Sequence, residues 1–171
     1  MGSDQPDAPA LARAAAAQVP TAVFALADHA DRAARDDALA AWLLERDAGL
    51  VVLAGYMQLL SPGFLTRFPQ RVLNVHPALL PAFPGLGAVE QGLAYGVKVF
   101  GVTVHFVDEG VDTGPIVLQR AIELPGIEDA DAVHAALRPL EHDLLCEAVR
   151  LIARDAVRLD PGNPRRVLIA R

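Results

Sequence analysis

With 171 residues, 53% of them hydrophobic and 21% charged, the chain carries enough apolar material for one sizeable soluble core. A formal charge of −6 and a single lysine, Lys98, argue against a nucleic-acid partner, because a phosphate backbone is bound by concentrated lysine and arginine. Cys146 is the one cysteine, which excludes a disulfide framework or a cysteine-built metal cage; with no basic-then-apolar leader and no long apolar run, a cytoplasmic protein with no membrane partner is expected.

Residues 1–6 are polar and read as loose, with no function expected of Gly2 or Ser3. Residues 7–18 predict an alanine-rich helix that opens at Asp7 or Pro9 and halts before Pro20. The apolar run at 21–26 fits a short buried strand. Over 31–47, Ala34, Ala38, Leu39, Trp42 and Leu43 recur with helical spacing, and Gly49 supplies the stop. Residues 50–54 form a continuous apolar run, as in a strand covered on both faces. Helix followed by buried strand, repeated, is the pattern of an α/β fold.

Residues 55–61 leave the C-terminal end of that strand, where open parallel sheets bind ligands. A short helix follows over 62–68, with Ser61 as N-cap and Pro62 in the first turn. The next strand is 72–75, then a proline-rich loop, then a helix over 87–95 that ends at Gly96. Residues 99–107 alternate, with Phe100, Val102, Val104 and Phe106 on one face and Gly101, Thr103, His105 and Val107 on the other. A strand at 116–124 completes a hairpin with them. One or two helices occupy 129–155, Pro139 being a kink or the start of the second, and 166–170 is a weak strand. No repeat or linker divides the chain, so one domain over 1–171 is expected.

His76 follows a strand and precedes a proline, which holds its backbone extended and lets the ring point into a crevice. Asn74 lies two residues earlier on the same strand face and sets an amide donor beside it; donor plus imidazole is a pair suited to stabilising an oxyanion. Asp112, in Asp-Thr-Gly, is either a turn residue accepting backbone N–H bonds or a carboxylate that favours a charged imidazolium. His105 is expected to face a neighbouring element, and His29, His134 and His142 to lie on surfaces or helix faces. Glu141 reads as a solvated charge, Trp42 and Met57 as core. There is no H-E-x-x-H, no cysteine pair, no P-loop and no G-x-G-x-x-G, so metal, P-loop and dinucleotide chemistry lack support.

Three blocks in colinear order carry a resemblance: Ala-Gly-Tyr-Met-Gln-Leu-Leu-Ser-Pro at 54–62, Asn-Val-His-Pro-Ala-Leu-Leu-Pro-Ala-Phe-Pro-Gly at 74–85, and Gly-Val-Thr-Val-His-Phe-Val-Asp-Glu-Gly-Val-Asp-Thr-Gly-Pro at 101–115. They resemble the phosphoribosylglycinamide formyltransferases of purine synthesis, from about Asp4 onward. The resemblance implies a Rossmann-like fold, a mostly parallel sheet flanked by helices, and transfer of a formyl group from 10-formyltetrahydrofolate to the glycinamide amine, with no metal. It implies that Asn74 and protonated His76 stabilise the oxyanion while Asp112 keeps the imidazole charged and oriented. It gives the folate to Met57, Gln58, Leu59 and Leu60 together with Asp108, Glu109, Gly110, Val111 and Asp112, its glutamate tail to Arg32, and the glycinamide substrate to Glu141. The partners implied are these small molecules, in a monomer or homodimer.

The chain also departs from that pattern. The family's opening strand and its Gly-Ser loop, which holds a ribose phosphate at a helix N-terminus, have no counterpart here, so a gap is expected between the 21–26 strand and the rest of the sheet. Gln58 stands where arginine is common and Ala78 where serine is common. Formyltetrahydrofolate hydrolase and methionyl-tRNA formyltransferase share an Asn-x-His and a later Asp, but His-Pro-Ala-Leu-Leu-Pro favours the glycinamide type. A non-catalytic folate-binding relic is the alternative from another class.

Overall fold

A computed structural model of the chain describes residues 1–170. Its contacts form two units, one made of Met1–Val51 and Gly55–Pro69, the other of Val52–Ala54 and Gln70–Arg171.

In the first unit, strand β1 (Gly2–Ser3) pairs in parallel with β2 (Ala22–Val23), so the polar N-terminal residues are not loose. Polarity predicts exposure but says nothing of a backbone ladder, and Gly2 suits the place because a Cβ there would stand 3.0 Å from Leu39. β2 is shorter than the apolar run suggested: Phe24 turns inward against Trp42, at 5.9 Å between ring centroids, and Leu26–Asp28 wind into a 3₁₀ turn. Helix α1 (Pro9–Ala16) starts on its proline. Helix α2 (Arg32–Leu44) is capped by Asp31, whose carboxylate accepts the Ala34 N–H at 2.8 Å.

The periodic apolar residues of α2 are only part of its inner face. Its most buried members include Arg35 and Asp36, exposed by 1% and 0%. Arg35 bonds Asp36 through Nε and Nη2, and the other Asp36 oxygen accepts the Ser61 N–H at 2.6 Å. Ser61 in turn caps helix α3 (Pro62–Arg67) by accepting the Phe64 N–H. One buried carboxylate therefore ties α2 to the start of α3 and satisfies a buried cation.

The second unit is built on a six-stranded sheet of order β3-β4-β5-β6-β8-β7. Among the described residues no ladder joins it to β1–β2. β3 (Val51–Leu53) ends the sheet, and with a neighbour on one side only, its Val52 stays 39% exposed; the run is not covered on both faces. β4 (Val72–His76) and β5 (Val99–Phe106) pair antiparallel, as do β5 and β6 (Ile116–Glu123). β8 (Asn163–Ile169) runs parallel to β6 and antiparallel to β7 (Val157–Asp160). Parallel pairing is thus found at β1–β2 and β6–β8, whereas the connections 107–115 and 161–162 are too short for a crossover and impose antiparallel pairing. The weak strand foreseen at 166–170 is the second arm of a hairpin whose first arm, β7, carries no clear sequence signal.

Helix α4 (Ala88–Tyr95) is bounded by Gly87 and Gly96, both with left-handed backbones. Helix α5 (Ala130–Ala153) is a single helix that continues through Pro139. Its Val133, Leu137, Leu144 and Ala148 are all but fully buried along one stripe, and the helix packs on β5. Val102 and Val104 of β5 are likewise fully buried, each such side chain contributing about 2 kcal/mol. The strand between them and the opposite face is therefore rigidly held, which matters for Thr103 and His105.

Candidate active site

Side chains alternate along a strand, so Asn74 and His76 emerge on one face of β4. The antiparallel register sets Asn74 opposite His105 and His76 opposite Thr103. Thr103 is buried and fixes the chain leaving β4: its hydroxyl donates to the Ala78 carbonyl at 2.7 Å and accepts the Leu80 N–H at 3.1 Å. Gln119 braces the same hydroxyl and the Leu80 carbonyl.

The loop so held returns over His76. The Phe83 carbonyl lies 2.8 Å from His76 Nε2, and Asp112 Oδ2 lies 3.3 Å from Nδ1. Both ring nitrogens face oxygens that can only accept, so a ring filling both bonds carries two N–H groups and a positive charge. His76 is 5% exposed, and two acceptors supply the compensation that a buried charge needs.

Asp112 sits in a turn with φ of 52°, a left-handed conformation uncommon outside glycine and asparagine. Its Oδ2 also accepts the Gly85 N–H at 2.8 Å, and its Oδ1 faces Asn74 Nδ2 and His105 Nε2, each at 3.4 Å. The hydrogen bond from His105, then the Gly85 amide and the charges of His76 and His105, bring the Asp112 carboxyl down to about 2, against the upward push of burial. Asp112 accepts a backbone N–H, as a turn residue does, and also stands against an imidazole nitrogen.

His105 was expected only to face a neighbouring element, and it proves to be the fourth member of the cluster. Its Nδ1 donates to the Phe106 carbonyl at 2.9 Å. Nε2 then accepts from Asn74, at 3.3 Å, when the ring is neutral, or donates to Asp112 when it is charged. The alternation along 99–107 placed His105 on the right face, but pairing with β4, which makes it meet Asn74, cannot be read from either strand alone. The Phe83 carbonyl and Gly85 amide leave no side-chain signal either.

The other predicted residues fall on the acid-bearing turn, on α5 and in the first unit. Asp108 braces the acid-bearing turn, accepting the Gly110 N–H at 3.1 Å and the Thr113 hydroxyl at 2.6 Å, while Glu109, Gly110 and Val111 are exposed. Glu141 is half-buried on α5. In the first unit, Arg32 is exposed at the start of α2. Leu60 is half-buried, Gln58 exposed, and Met57 and Leu59 are 73% and 55% exposed; Met57 is thus not a core residue. Its segment leaves the edge strand β3 as a loop.

An amide, an imidazole with two acceptors and a low-lying carboxylate can polarise a carbonyl, bear an oxyanion and pass a proton. Among the described residues no group of three or more histidine, cysteine or acidic side chains is placed to hold a metal ion, and no helix is long and apolar enough to cross a membrane.

Known proteins share this arrangement of sequence and fold. Residues 2–149 match the formyl transferase family. A phosphoribosylglycinamide formyltransferase of Mycobacterium tuberculosis is 48% identical over 144 residues, which are 84% of this chain and 67% of that protein. Its counterpart in Bacillus subtilis is 41% identical, over 81% of this chain and 71% of that protein. The crystal structure of glycinamide ribonucleotide transformylase 1 from Symbiobacterium toebii superposes with a TM-score of 0.95 at 44% identity, covering 99% of this chain and 79% of that one. With such agreement along most of its length, the chain belongs to the formyl transferase family.

Proposed function

We propose that the chain transfers the formyl group of 10-formyltetrahydrofolate to the amine of phosphoribosylglycinamide, a cytoplasmic step of purine synthesis. The observation that carries this reading is the buried cluster in which Asp112 touches His76 and His105 while Asn74 stands on the same strand face as His76.

The amine attacks the formyl carbon, and the carbonyl oxygen becomes an oxyanion. The His76 imidazolium and the Asn74 amide are the donors available to it, and a donor of this kind is worth about 3 kcal/mol in a water-excluded site. In taking the His76 Nε2–H, the oxygen replaces the Phe83 carbonyl, an exchange of one acceptor for a more strongly charged one. Asp112 holds the ring by Nδ1 and balances its charge. Collapse of the intermediate breaks the bond to N10 of the folate, and the proton lost by the amine matches the one gained by N10.

The same reading gives the folate to Met57, Gln58, Leu59, Leu60, Asp108, Glu109, Gly110 and Val111, its glutamate tail to Arg32, and the glycinamide substrate to Glu141. The exposure of Met57 and Leu59 supports it, since large apolar side chains left in water commonly mark a binding surface. The test is direct: the chain, mixed with both substrates, is expected to release tetrahydrofolate well above the uncatalysed rate. Background transfer, together with calorimetric binding of a folate analogue, would reduce the chain to a folate-binding protein and overturn the reading.

A further inference from the structure

Asp112 works, on the reading above, because a turn holds it in a backbone conformation that side chains other than glycine seldom adopt. From within, that turn is braced by the Asp108 carboxylate on Gly110 and Thr113. It is also closed by two glycines: a Cβ on Gly114 would overlap the Phe106 carbonyl, and one on Gly110 would overlap the Thr113 hydroxyl. One support comes from far along the chain. Arg165 Nη2 donates to the Thr113 carbonyl at 2.7 Å, across 52 residues of sequence.

Arg165 is presented there by design of the tail hairpin. β8 lies beside β6 with Arg166 opposite Ile116, and β7 secures β8 along its length. The Arg165 N–H is itself held by the Asn163 side chain, which fixes the start of the strand. Arg166, the next residue, points to Asp160 instead, at 3.6 Å.

We propose that Arg165 is a positioning residue for the transfer, acting through the Thr113 carbonyl to keep Asp112 in register with His76. The proposal rests on the reading of Asp112 as the partner of a reacting His76. A guanidinium bond to a carbonyl is charge-assisted, and this one fixes the Thr113–Gly114 peptide, one residue beyond Asp112, so its loss loosens the turn and lets the carboxylate drift from the ring. Because it acts through the main chain of the turn that carries Asp112, its effect belongs in turnover rather than in binding.

Formyl transfer is measured in the full chain and in Arg165→Ala, Arg165→Lys and Arg166→Ala, with the ring-nitrogen NMR signals of His76 and His105 recorded in parallel. Arg165→Ala is expected to lower kcat about fivefold with KM little changed, and Arg165→Lys to recover much of the loss. The His76 signals should move in Arg165→Ala and stay in place in Arg166→Ala. Unchanged turnover with unmoved His76 signals in a folded Arg165→Ala protein would overturn the proposal, as would an equal effect of Arg166→Ala. If the unaltered chain transfers no formyl group, the proposed activity fails, and the NMR comparison alone decides whether Arg165 positions Asp112.

Discussion

Asp36 and Asp112, one in each unit, both hold a carboxylate away from water beside nitrogen donors, yet their partners differ in kind. Asp36 takes Arg35 Nε and Nη2 on one oxygen, at 3.0 and 2.7 Å, and the Ser61 N–H on the other at 2.6 Å. Asp112 takes one firm bond, from Gly85 at 2.8 Å, and three longer approaches of 3.3 to 3.4 Å from His76, His105 and Asn74. An arginine does not give up its proton, so the first cluster is a permanent joint between α2 and α3. Imidazole nitrogens can donate or accept, so the second can rearrange its hydrogen bonds when a reacting group enters. Half-buried Tyr56 stands beside the first cluster, its ring centroid 5.8 Å from the Arg35 guanidinium, and burial, opposed by that charge, pushes its hydroxyl up to about 12.

The contrast can be broken most forcefully at the joint. Asp36→Ala strands Arg35 at 1% exposure with no partner and is expected to cost about 3 kcal/mol, read as a lower denaturant midpoint. A midpoint close to that of the unaltered chain would mean that Asp36 is not the anchor described here.

The next effect concerns acid. Because the folded Asp112 carboxyl lies at about 2, below its ordinary 3.8, its contribution is complete above pH 3.8 and disappears as the pH falls towards 2. Stability should therefore drop by about 2 kcal/mol across that window on this account alone. Denaturation curves at pH 5 and pH 2.5 check it, and the drop should shrink in Asp112→Asn; equal drops in both proteins would place the acid sensitivity elsewhere.

A smaller effect sharpens the role of the histidine that sequence did not assign to the site. His105→Gln keeps a donor near Asp112 but removes the ring that bonds it, so turnover should fall about tenfold while the fold survives. Unaltered turnover would leave His105 as a purely structural neighbour.

How far the sequence could be read follows from where each signal resides. The N-cap Ser61, the glycine boundary at Gly96 and the alternation along β5 are local, and each appears where it was expected. Asn74, His76 and Asp112 were legible as candidates, and the structure brings them together. What escaped was set by pairing at a distance. His105 joins the cluster only through the β4–β5 register, β1 exists only because β2 accepts it, and Arg35 with Asp36 look like a solvated helix face until Ser61 closes on them. Backbone groups such as the Phe83 carbonyl and Gly85 amide carry no residue identity at all, and only the folded loop brings them to the site.

The central claim is that the cluster around Asp112 does chemistry, unlike the one around Asp36. It is tested most directly by single-turnover formyl transfer from 10-formyltetrahydrofolate to phosphoribosylglycinamide in the unaltered chain and in Asp112→Asn, alongside their thermal unfolding. The account predicts transfer about 10³-fold slower in Asp112→Asn, with folding retained, because a neutral amide cannot balance the His76 imidazolium. Transfer at a near-normal rate in the folded variant would contradict it.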